Sequence, residues 1–245
     1  MAGAAFVAGA VNAVAGGGSL ISFPAIVAAG YDARRSSITN SVALWPGYAG
    51  GSWGYRHELR LQKRRAVLLS LPSIGGAIAG AVLLVSTPAS AFDAVVPFLI
   101  LFACGVMVFQ ERLAAFAANH HLTSTSDANI PAPLHMVTFA LATYGGYFGG
   151  GLGIMMLAAL GIFIPVDIQH SNALKGLLSA VINGAAVVYF VLFGNVIWSV
   201  AAVMAAGALF GGWVGVYVAR RLGRTWLKIA VVVYGVGAAV FLFIR

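Results

Sequence analysis

Charge is scarce in this chain. Only 8% of its 245 residues are Asp, Glu, Lys or Arg, and just six are acidic. A water-soluble domain carries about a quarter charged and about half apolar residues. Here 61% are hydrophobic and the mean hydropathy is +0.95, so a water-soluble fold is excluded. Cysteine occurs once, as Cys104 inside an apolar run, which rules out a disulfide framework and a Cys-rich metal site. That thiol reads as a small core residue. A basic leader is also missing: the apolar opening stretch holds Asn12 and a Gly16-Gly17-Gly18 break, so it is not expected to be a cleavable signal peptide. Catalytic signatures are lacking as well. Arg56-His57-Glu58-Leu59 has the wrong spacing for a His-Glu-x-x-His zinc pair, and neither Ser19 nor Ser179 has a base placed by a recognisable pattern. Neither an enzyme nor a cofactor is expected.

Long apolar runs are what the chain has. Ala66 to Val85, Phe92 to Phe109, Val196 to Ala219 and Trp226 to Ile244 each approach or exceed the length needed to span a bilayer, roughly 18 to 20 residues. Eight hydrophobic segments fall near 2–29, 36–55, 66–85, 92–109, 134–164, 171–193, 196–219 and 226–244. A polar interruption with His120, His121, Thr123-Ser124-Thr125-Ser126 and Pro131-Ala132-Pro133 has the composition of a solvated linker. The chain therefore divides into a first membrane repeat at 1–110, a linker at 111–133 and a second repeat at 134–245.

The halves resemble each other weakly but in order. An offset of 135 residues lays Asp32 on Asp167, Ser36 on Ser171, Gly76 on Gly211 and Gly80 on Gly215; an offset of 133 lays Gly16-Gly17-Gly18 on Gly149-Gly150-Gly151. The net charge of +8 sits in short loops rather than along a face, which points to membrane topology and away from nucleic acid. If all eight segments cross, the basic residues split seven to six between the two sides. If the glycine-broken first segment of each half instead dips in and returns, ten fall on the cytoplasmic side against Arg34, Arg35 and Arg245 outside. The positive-inside rule favours the second arrangement, in which the two halves are inverted. The fold class expected is thus an all-α polytopic membrane protein of two inverted repeats, each with a glycine-broken or re-entrant segment followed by three helices.

Two features could carry chemistry. Gly16, Gly17, Gly18 and Ser19 in the first half, and Gly149, Gly150 and Gly151 in the second, break otherwise spanning segments. Non-helical backbone at membrane depth is tolerated only where protein or a wet cavity encloses it, and the half-helix N-termini that follow attract anions. Close helix packing is the competing reading for these tracts, and the leading one for Gly76, Gly80, Gly207, Gly211 and Gly215. The second feature is a polar stripe after each tract: Ser37, Thr39, Asn40 and Ser41, then Asn172, Lys175, Ser179 and Asn183. The latter four share one helical face. Lys175 alone among Lys and Arg lies well inside an apolar span, which marks it as functional unless it snorkels toward the Asp167 end. Asp167 and His170 beside it are candidates for proton coupling. Thr143-Tyr144-Gly145-Gly146-Tyr147 faintly suggests a potassium-filter loop, in the wrong register, which keeps a channel as an alternative.

Asn12-Ala13-Val14-Ala15-Gly16-Gly17-Gly18-Ser19-Leu20-Ile21 with Pro24, Thr39-Asn40-Ser41-Val42-Ala43-Leu44-Trp45-Pro46-Gly47 and Gly54-Tyr55-Arg56 resemble the sulfite exporter TauE/SafE family. So do Gly149-Gly150-Gly151, Asn172-Ala173-Leu174-Lys175 and Asn183 in the second half. The resemblance implies a bacterial-type inner-membrane transporter exporting sulfite, sulfoacetate or a related organosulfonate, with an anion channel or a carrier of another small organic anion as the alternative. The residues agree with an anion, since no acidic group lies in either stripe. The partners expected are that sulfur anion, the lipid bilayer and protons as coupling ion; a homo-oligomer is allowed. The topology has a direct check. With Cys104 replaced, single cysteines at Lys63 and at Arg224 are expected to react with an impermeant reagent from the same, cytoplasmic face; labelling from opposite faces would refute the arrangement.

Overall fold

The computed structural model describes residues 1–15, 17–119, 130–164, 168–222 and 224–244. Among them the chain is helical and no strand occurs: α1 (Ala2–Ala15), α2 (Ser19–Ala28), α3 (Ala33–Gly54), α4 (Arg56–Arg60), α5 (Lys63–Ser86), α6 (Ala89–Val108), α7 (Gln110–Asn119), α8 (Ala132–Tyr147), α9 (Leu152–Phe163), α10 (Ile168–Phe193), α11 (Trp198–Leu222) and α12 (Arg224–Ile244). Three stretches of the described residues, Lys63–Ser86, Ala89–Val108 and Gln169–Phe193, are long and apolar enough to cross a membrane. Their outward faces carry Leu71, Ile78, Phe98, Phe102, Val188 and Leu192, all exposed, as a lipid-facing surface requires. α3 is long enough at 22 residues but polar, and its Ser36, Ser37, Thr39 and Asn40 are buried in the bundle instead.

Both expected helix breaks are present. α1 stops at Ala15 and α2 starts at Ser19; a side chain on Gly18 would run into the Ala8 carbonyl, so the chain has turned back beside its own helix. Farther along, Ile26 of α2 shares a core cluster with Ala5 of α1, as two legs of a hairpin would. In the second half α8 ends at Tyr147, and Gly149 and Gly151 take φ of +77° and +75° before α9 begins. Those left-handed conformations are cheap only for glycine. The Tyr144 hydroxyl donates to the Gly150 carbonyl at 2.6 Å and pins the reversal. Thr143 to Tyr147 belong to α8 itself, so their backbone is helical and does not form a filter loop.

Helix pairing respects the internal repeat. α1 packs on α11 as α8 packs on α5, and α3 packs on α11 as α10 packs on α5. α3 pairs with α10, and α6 with α12. A Cβ on Gly211 would strike the Phe6 carbonyl, and one on Gly76 the Phe139 carbonyl. The two glycines are 135 residues apart and the two phenylalanines 133, the offsets seen in sequence. Gly80 against Thr143 and Gly207 against Ala2 extend the same close crossings, so the packing reading holds for these glycines.

Three contacts tie loops together at the ends of the bundle. Gln62 Nε2 donates to the His170 carbonyl at 3.0 Å, Arg35 Nε to the Asn195 carbonyl at 3.5 Å, and Lys228 meets Glu111 at 2.9 Å. The first third of the polar linker is helix α7 rather than solvated coil: Ala117 lies against Gly161 of α9. The Lys228 ammonium holds the exposed Glu111 carboxyl below the usual carboxylate range, so this tie is made at neutral pH and is lost as acid protonates the carboxylate.

The glycine crossings set a stability test. Gly76→Leu and Gly211→Leu must each force two helix backbones apart, at a cost of about 1–3 kcal/mol or more. Both are expected to lower the thermal midpoint in detergent, whereas Gly105→Ala, where a Cβ meets nothing within 4 Å, is expected not to. Unchanged midpoints for both leucine variants would contradict the crossings.

Candidate functional site

The two breaks converge on one turn of α6. A Cβ on Gly17 would meet Met107, one on Gly150 would meet Ala103, and one on Gly151 would meet Ala103 and Val106. Phe23, one turn into α2, meets Phe148 edge to face with ring centroids 5.6 Å apart. On this side the tracts are packed against apolar side chains, as tight helix packing predicts. Nearby, α3 packs against α1 and α2, and α10 against α8 and α9; α3 and α10 carry the polar stripes.

α3 and α10 run antiparallel. Trp45 Nε1 donates to the Ala180 carbonyl at 3.2 Å, and a Cβ on Gly176 would lie 3.8 Å from Ser52 Oγ. Trp45 and Ala180 are themselves 135 residues apart, so the pair sits where the two repeats meet. On α10 the aliphatic chain of Lys175 passes Gly153, at the start of α9, with Cδ 3.8 Å from where a Cβ would stand. Its ammonium donates to Asn172 Oδ1 at 3.3 Å, leaning toward the start of its helix as helical side chains do. Lys175 is half-buried, with Ser179 and Asn183 buried farther along. Asn183 donates to the Ser179 carbonyl of its own helix at 2.8 Å.

The first stripe is arranged differently. Thr39 Oγ1 accepts the Ile197 N–H at 3.0 Å and so secures the entry to α11, while Ser41 donates to the Ser37 carbonyl one turn back. Asn40, the repeat counterpart of Lys175, is 4% exposed, and its Oδ1 has no donor among the described residues. A buried, unsatisfied amide oxygen costs about 1–3 kcal/mol unless something else fills the position. Gly16 and Asp167 lie outside the described residues. The His170 carbonyl is taken by Gln62, which joins the start of α5 to the start of α10.

Tyr48 and Asn12 were not picked out as site residues by sequence pattern. The Tyr48 hydroxyl donates to Asn12 Oδ1 near the end of α1 at 3.5 Å. One signal points to Tyr48: the offset of 135 maps it onto Asn183, already in the second stripe. A separate cavity of about 310 Å³ at the α2–α3 turn is lined by Tyr31, Asp32, Asp93 and Leu242 among others and includes none of the stripe residues. Among the described residues no group of three His, Cys, Asp or Glu is placed to hold a metal ion.

Two glycine-broken helices beside membrane-length apolar helices fit a membrane protein of transporter type. The chain belongs to the sulfite exporter TauE/SafE family, whose model matches residues 1–242. It is 25% identical over 97% of its length to a probable membrane transporter protein ORF9 of Sinorhizobium sp, covering 88% of that protein. It is 26% identical over 93% of its length to a probable membrane transporter protein of Haemophilus influenzae, 87% of which is covered. The probable membrane transporter protein YfcA of Escherichia coli K12 is 24% identical over 94% of this chain and 83% of its own. No solved structure gives a significant match.

Proposed function

We propose that this membrane transporter moves a small sulfur-containing anion, sulfite or an organosulfonate, out of the cell across the inner membrane by alternating access between two inverted repeats. The observation that carries the anion reading is Lys175 beside Gly153, where α9 starts after the second break, with Asn172 on its ammonium. A lysine inside an apolar span costs roughly 2.5–3.5 kcal/mol on insertion scales, which a counter-ion or ligand offsets. Neutral donors from Ser179, Asn183 and Asn40 would surround one bound oxyanion, with the N–H groups at Gly17 to Ser19 and Gly149 to Gly151 close by. One full charge and several dipoles hold an anion without trapping it.

Three contacts support the inverted arrangement. Gln62 with His170, Arg35 with Asn195, and Glu111 with Lys228 would each join opposite membrane faces if all eight segments crossed. With both first segments re-entrant, each pair shares a face, and the ten cytoplasmic basic residues fall together. The packing of α1 on α11 and of α5 on α8, related by exchange of the halves, supports the same reading. Protons are the coupling ion proposed, with Asp167 or His170 as carrier.

Removing a charge-assisted contact to a ligand costs about 1.5–3 kcal/mol. Lys175→Ala is therefore expected to weaken sulfite or methanesulfonate binding to the purified protein by about 10- to 150-fold in calorimetry, and Lys175→Gln by less. Wild-type affinity in Lys175→Ala would make the lysine a snorkelling structural residue and remove the anion site.

A further inference from the structure

Five basic residues, Arg56, Arg60, Lys63, Arg64 and Arg65, fall around the turn from α4 to α5. Arg65 is buried, whereas Arg60, Lys63 and Arg64 are exposed. The turn holds one acid, Glu58, and its Oε2 is buried away from solvent. Among the described residues none of the three exposed cations has a carboxylate partner: Glu111 pairs with Lys228, and Asp32 and Asp93 line the cavity at the α2–α3 turn. The first turn of α5 brings no acid either, so the positive end of the helix adds to the charge instead of being offset.

This charge heads a lipid-facing surface. Lys63, Val67, Leu71, Ile74 and Ile78 recur at intervals of three or four residues, share one face of α5 and are all exposed. α5 has 24 residues, about 36 Å of helix, against a hydrocarbon core of about 30 Å. With the apolar part of that stripe among acyl chains, Lys63 and Arg64 stand at the depth of the lipid phosphates. Leu61, between Arg60 and Gln62, is 70% exposed. In water that exposure is unfavourable, whereas the upper acyl region accepts it.

We propose that Arg60, Lys63 and Arg64, with Leu61 inserted beside them, bind the headgroup of an anionic phospholipid. Arginine presents paired N–H donors that match two oxygens of a phosphate, and lysine adds a compact charge. A zwitterionic headgroup offers the same phosphate but carries its own ammonium, which three uncompensated cations repel. The site therefore selects net negative charge rather than phosphate alone. Free phosphate lacks the acyl chains that cover Val67 and Leu71, so the occupant is the lipid.

Native mass spectrometry of the purified full chain, titrated in detergent with phosphatidylglycerol or phosphatidylcholine of matched acyl chains, tests the site. The first phosphatidylglycerol is expected to bind more tightly by about fivefold for each cation, hence well over tenfold in all. Arg60→Gln, Lys63→Gln and Arg64→Gln together are expected to remove most of that preference, and Lys63→Gln alone about fivefold of it, so a triple variant that fails to fold leaves the test intact. Leu61→Ser is expected to weaken both lipids alike and keep the ratio. Arg112→Gln, on α7, is expected to keep it too, and millimolar inorganic phosphate is expected not to displace the lipid. A wild type without preference, a preference untouched by the glutamine variants, an equal loss in Arg112→Gln, or displacement by inorganic phosphate overturns the proposal.

Discussion

A backbone N–H or C=O left unpaired in hydrocarbon costs several kcal/mol, and this constraint governs the rest of the structure. Two helices stop in mid-course at glycine tracts, so two sets of main-chain groups must be enclosed by protein. α6 supplies the apolar wall through Ala103, Val106 and Met107. α3 and α10 supply the other, with Tyr48 beside the first break and Lys175 beside the second. The close glycine crossings of α1 on α11 and of α5 on α8 then follow from the same need.

Enclosing two breaks with one antiparallel pair also concentrates polarity where a transporter needs it. α3 hides its serines, Thr39 and Asn40 in the bundle, while α5 turns Leu71 and Ile78 outward. The halves are alike in packing and unlike in charge. Asn40 stands where the second half has Lys175, so the two stripes are unequal in charge. The alternating access proposed above would require such near-equivalence of two packings, because two states must differ by only a few kcal/mol for a ligand to shift them.

Much of this was legible in sequence because glycine and charge are blunt signals. The offset of 135 pointed to Gly76 and Gly211 as counterparts, and both proved to be helix-crossing points. The breaks after Ala15 and Tyr147 were likewise visible, since three successive glycines cannot sustain a helix cheaply. Other features depended on three-dimensional neighbours. Thr39 reads as one more member of a polar stripe, and only the structure shows its hydroxyl receiving the Ile197 N–H. Tyr48 sits among apolar and glycine residues and gains meaning only from Asn12, far away in sequence. The linker's polar composition hid α7, whose helix depends on packing against α9 and on the Lys228 tie.

The central claim is that the two breaks and the α3–α10 pair bracket one anion at Lys175. Selenite shares the shape and charge of sulfite and scatters X-rays anomalously, so a crystal of the protein soaked with it locates the anion without interpretation of side-chain density. The account predicts one strong anomalous peak within hydrogen-bonding distance of Lys175 Nζ, between the starts of α2 and α9. A peak confined to the cavity beside Asp32 and Asp93, or to the basic loops alone, would contradict it.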